Sequence, residues 1–94
     1  ARKITREFSR MKKKEREMNY FINVSFAITA SERQLIRMLL EEKSVSTIAR
    51  ERVVEVSTVK SQINTLLKKF HVRRTKEIIT MVHSLGIEQI FYRD

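Results

Sequence analysis

The chain has no cysteine, no proline, no tryptophan and a single glycine, Gly86. Without cysteine there is no disulfide framework, no thiolate metal site and no cysteine nucleophile. The two histidines, His71 and His83, stand twelve residues apart, outside the i, i+4 spacing that puts two ligands on one helix face. Neither a metal site nor any other cofactor is expected. No run of about 18 apolar residues exists to span a bilayer, and no charged-then-apolar signal segment opens the chain. The expected location is cytoplasmic, with no membrane partner. The scarcity of helix breakers points to an all-α fold.

Acids are also in short supply. Eleven Asp and Glu stand against 20 Lys and Arg, a formal charge of +9 on 94 residues. Hydrophobic residues make up 41% of the chain, which supports one small core and no deep catalytic cleft. No paired carboxylates, nucleophile–base pair or glycine-rich phosphate loop can be assembled, so an enzyme is not expected. A polyanionic partner is.

The stretch Ser57–Phe70, STVKSQINTLLKKF, organises the rest. Val59, Ile63, Leu66, Leu67 and Phe70 are spaced four, three, one and three apart, the one-sided pattern of an amphipathic helix. Its other face carries Ser57, Lys60, Ser61, Asn64, Thr65 and Lys68, with no acid among them. Donors and positive charge on one face suit a negatively charged groove with hydrogen-bonding edges.

Other segments divide the chain into a basic arm (1–27), a helical domain (28–86) and an apolar tail (87–94). Residues 1–18 carry eight Lys or Arg and read as an amphipathic helix with Ile4, Phe8, Met11 and Met18 on a seam. In residues 19–28, Tyr20, Ile22, Val24, Phe26 and Ile28 alternate, which predicts an extended connector. Thr29 and Glu32 form a T-x-x-E capping box, followed by Leu35, Ile36, Leu39 and Leu40 on a buried stripe. Ser44 is an N-cap for a short helix with Val45, Ile48 and Ala49 inward. A further helix over 75–85 buries Ile78, Ile79, Val82 and Leu85 and ends at Gly86. A short helix, a tight turn and a longer helix with a polar basic face make a helix-turn-helix plan.

On these residues the segment from Ile28 to about Val82 resembles the LuxR/GerE-type helix-turn-helix domain of bacterial transcription regulators. Thr29, Glu32, Ser44, Ile48, Ala49, Thr58, Val59, Lys60, Lys69 and Val72 match the family pattern, over about 55 of 94 residues. The sequence departs from it between the two central helices, where Arg52, Val53, Val54 and Glu55 stand for the usual Leu-Gly and its followers. Gln62 replaces a histidine, and Lys43 and His71 fall where the family has glycine. Arg52 sits at an expected core position, from which its head can snorkel outward. A glycine-free turn cannot reach positive φ cheaply.

The resemblance implies a four-helix helix-turn-helix domain, preceded here by the basic helical arm, that regulates transcription by binding double-stranded DNA. Lys60, Ser61 and Asn64 would meet base edges. Thr29, Ser44, Thr47, Ser57, Thr58, Gln62, Lys68, Lys69, Arg73 and Arg74 would approach phosphates. The last helix would hold a homodimer, or a heterodimer with a related regulator, through Thr80, Met81, His83 and Ser84. Many such regulators carry a receiver or ligand-binding domain upstream. Two other readings stand beside this one: a sigma-factor-like promoter-reading domain, which shares a similar TVKS run, and a protein-interaction module whose helix-turn-helix has degenerated.

Overall fold

The computed structural model describes the backbone of residues 2–93 and the side chains of residues 14–93. Five α-helices follow one another: α1 (Arg2–Ala27), α2 (Ala30–Leu40), α3 (Val45–Arg52), α4 (Val56–Phe70) and α5 (Thr75–Leu85), before a 3₁₀ helix at Glu88–Tyr92. Every element among the described residues is a helix, as the dearth of breakers predicts. No described helix is long and apolar enough to cross a membrane. The arm's seam residues Ile4, Phe8 and Met11 lie outside the described side chains.

The extended connector expected over 19–28 is not there, because α1 runs unbroken as far as Ala27. Apolar residues are so dense in this stretch that a period of two and a period of 3.6 both fit. Burial separates them: Phe21, Ser25 and Ile28 are the enclosed residues, at helical spacings of four and three. Phe21 lies on the opposite side of the alternation from Tyr20 and Ile22. Within the helix the Ser25 hydroxyl donates to the Phe21 carbonyl at 2.8 Å, so its buried oxygen costs little.

Caps fix the helix starts. Glu32 N–H donates to Thr29 Oγ1 at 3.1 Å, and Thr29 N–H returns to Glu32 Oε1 at 3.0 Å, closing the capping box. At α3 the Thr47 N–H donates to Ser44 Oγ at 3.2 Å. Such caps contribute about 1 kcal/mol each.

The helix ends share a second device. α2, α3, α4 and α5 each stop on a left-handed residue, namely Glu42 (φ 60°), Val53 (φ 56°), His71 (φ 55°) and Gly86 (φ 63°). The next N–H reaches back five residues in every case: Lys43 to Met38, Val54 to Ala49, Val72 to Leu67 and Ile87 to Val82. This is the Schellman closure. Of the four, only Gly86 has no Cβ to oppose positive φ. The α3–α4 turn therefore does use the conformation that its sequence makes costly, with a β-branched valine. At the end of α2 the left-handed residue is Glu42, one before the Lys43 that the family pattern indicates.

The core sits where α2, α4 and α5 meet. Leu35, Ile36, Val59, Leu66, Ile78 and Val82 are enclosed there, joined by Ile48 from α3. Full burial of one such side chain stabilises by about 1.5–3 kcal/mol. Leu40, Val45, Ile79 and Leu85 pack on its rim, half-buried. Both ends of the chain contribute. Phe21 of α1 meets Phe70 of α4 with ring centroids 4.6 Å apart, and Phe91 folds the tail back onto α2.

Candidate nucleic-acid interface

α3 and α4 are joined by three residues, Val53 to Glu55, and pack closely on each other. Val59, Ile63, Leu66 and Phe70 hold α4 against the core. Ser57, Lys60, Ser61, Asn64, Thr65 and Lys68, the whole polar face read from the sequence, are exposed. Thr65 Oγ1 donates to the Ser61 carbonyl at 3.1 Å, which occupies its hydroxyl on the helix itself. From Ser57 to Lys76 there are six cations and no acid. The three residues expected at base edges, Lys60, Ser61 and Asn64, thus share one open surface with Ser57 and Lys68. Exposed Thr58 lies beside them.

The remaining phosphate candidates divide into free and engaged groups. Lys69 Nζ lies 2.7 Å from Glu32 Oε2 and 2.8 Å from Oε1, so its ammonium is committed to the start of α2. Burial pushes the Glu32 carboxyl up. The Lys69 ammonium and the Thr29 N–H and side chain outweigh it and hold its pKa below the ordinary carboxylate value. The hydroxyls of Thr29 and Ser44 serve their caps, and Ser44 Oγ also donates to Thr47 Oγ1 at 2.9 Å. Gln62 is half-buried; its Oε1 is enclosed, and no described group bonds it.

Arg73 and Arg74 extend exposed side chains just past α4. Their backbone N–H groups donate to one oxygen, Glu77 Oε2, at 2.7 and 2.9 Å. Those two bonds, Arg73's first, keep the Glu77 carboxyl below its ordinary pKa. The link fixes the α4–α5 corner and leaves both guanidinium groups facing water.

Compared with family models, with curated proteins and with solved structures, the chain matches none. The site therefore rests on its own geometry and on the residue pattern of 28–82.

Of the four residues expected at a dimer contact, Thr80, His83 and Ser84 are exposed on α5, while Met81 is half-buried against the core. His83 Nδ1 sits 2.8 Å from Glu88 Oε1. Glu88's own N–H, then His83, hold that carboxyl's pKa low.

Three supporting contacts escape sequence reasoning. Tyr20 of α1 donates its hydroxyl to the Lys69 carbonyl at 2.7 Å and stacks on His71, centroids 4.7 Å apart. It satisfies one of the carbonyls that the end of α4 leaves open. Arg52 turns its head outward and donates from Nη2 to Ser31 Oγ at 2.6 Å, tying α3 to the first turn of α2. Its half-buried stem resolves the anomaly of an arginine at a core position. Lys43 bonds Glu51 at 2.8 Å, closing the α2–α3 corner. Glu51 first, then Glu41, raises the Lys43 pKa.

Proposed function

We propose that this chain binds double-stranded DNA in a sequence-dependent way, with α4 laid in the major groove, as the DNA-reading module of a transcription regulator. One observation carries the reading. A full helix face of small polar groups, an amide and cations stands open, while Val59, Ile63, Leu66 and Phe70 of the same helix are committed to the core. B-DNA's major groove admits one α-helix and presents donor and acceptor patterns unique to each base pair. Lys60 offers donors to guanine O6 and N7, and Asn64 can bridge adenine N6 and N7. Ser61 is exposed beside them on the same helix.

Phosphate contacts then fall to Ser57, Thr58 and Lys68 along α4, and to Arg73 and Arg74 beyond it. The short α3 supports α4 from behind, as the first helix of a helix-turn-helix does. The resemblance of 28–82 to the LuxR/GerE type supports the same assignment and adds the expectation of a two-fold site read by two copies.

The test is selection from a random duplex pool, followed by titration at two salt concentrations. The reading requires an enriched sequence family, and affinity that falls steeply with salt, because each neutralised phosphate releases counterions. Weak binding without enrichment would reduce the positive charge to a non-specific attraction and remove the proposal.

A further inference from the structure

A groove runs along the side of the molecule where α1 passes the α4–α5 corner and the outer flank of α5. It consists of two adjoining depressions of about 590 and 1000 Å³ that share Glu17, His71, Val72 and Met81. The floor is apolar and soft: Met18, Val72 and Met81 are half-buried, with Phe21 and Phe70 beneath. The rim is cationic, formed by Lys14, Arg16, Arg73, Arg74 and Lys76. Two acids, Glu17 and Glu77, stand against them, and Glu77 is already held by the backbone N–H groups of Arg73 and Arg74.

We propose that this groove docks an acidic amphipathic helix from a protein partner. An apolar stripe on the incoming helix fills the space over Met18, Val72 and Met81, and its carboxylates meet the rim. Three features point to this occupant. Unbranched methionines adapt to the shape of varied apolar side chains, which suits helix-in-groove recognition. DNA cannot use the floor, since a duplex offers its phosphates and not an apolar ridge. A second copy of this chain, at +9, would set its own cations against the same rim. An acidic helix satisfies both the floor and the rim.

The probe is a synthetic 18-residue amphipathic helix with leucines on one face and glutamates on the other. It is titrated into the full chain without DNA, so the outcome does not depend on whether α4 reads bases. Methyl NMR signals of Met18 and Met81 should shift on binding. Replacing every glutamate of the peptide by glutamine should weaken binding at least tenfold. The double reversal Lys14→Glu with Lys76→Glu, at exposed positions where folding is little affected, should weaken it similarly, and Met81→Gln should do so without changing the charge. Equal affinity for the glutamate and glutamine peptides would overturn the proposal. So would methyl shifts produced equally by duplex DNA, or by raising the concentration of the chain alone, since these assign the groove to nucleic acid or to a second copy.

Discussion

The Tyr20 hydroxyl sits 2.7 Å from the Lys69 carbonyl, so the last third of α1 caps the end of the helix proposed to enter DNA. The same ring stacks on His71, a residue held at φ 55°, and so braces a strained backbone position. The tip of α4 is thus positioned by a helix lying outside the α3–α4 pair.

Tyr20→Phe keeps the ring and removes the cap. It should cost about 0.5–1 kcal/mol in urea unfolding, the net contribution of one hydrogen bond at a half-open site. Tyr20→Ala also loses the stack on His71 and should cost more. Equal losses for the two variants would show that the stack contributes nothing, and an unchanged Tyr20→Phe would show the same of the hydroxyl.

Val53 is 88% exposed and adopts φ 56°. A left-handed conformation costs a side-chain-bearing residue about 1–2 kcal/mol, and glycine gives back about 0.4–1 kcal/mol through the unfolded chain. Val53→Gly should therefore stabilise the protein by roughly 0.5–1 kcal/mol. His71→Gly should gain less, because it also discards the Tyr20 stack. Thermal melts of the two variants side by side decide this, and a destabilised Val53→Gly would refute the strain assignment.

Glu32 has a lowered pKa in the folded chain. A carboxyl of this kind adds stability above its unfolded pKa, and that stability disappears as pH falls through the folded value. Stability should thus decline on acidification from just above the ordinary 4.5 downward. Glu32→Gln keeps the capping-box geometry, loses the Lys69 ion pair, and should flatten part of that decline. Parallel pH–stability curves for the parent and Glu32→Gln would contradict it.

Lys68 and Lys69 are neighbours with different duties. Lys68 is exposed, whereas Lys69 is paired with Glu32. Lys68→Ala should weaken binding to all duplexes alike and reduce the salt slope by about 1. Lys69→Ala should chiefly lower stability, by about 0.2–1 kcal/mol for a partly exposed pair. Filter binding and urea melts on both variants separate the two effects.

Where spacing and capping chemistry agree, the sequence is a good guide. The helix expected at 57–70 is found at 56–70, Thr29 and Glu32 close the expected box, and Gly86 ends α5. The open polar face of α4 is likewise legible, because its apolar residues leave only one way to turn it. The continuation of α1 through 19–27 is not, since apolar density erases the period. Nor do Tyr20 and Arg52 announce their partners, because both contacts join residues more than twenty positions apart. The left-handed Val53 and His71 are hidden for another reason: tertiary closure overrides a local preference that glycine would have displayed.

Lys60 and Asn64 on α4 are the residues proposed to read bases. The most direct measurement is the ratio of affinities for the selected and the random duplex, taken for the parent, Lys60→Ala and Asn64→Ala at one salt concentration. The free-energy preference that this ratio expresses should fall by about 1–3 kcal/mol for each variant while affinity for random duplex changes little. Equal losses on both duplexes would mean that these side chains meet only phosphate, and that α4 does not read the sequence.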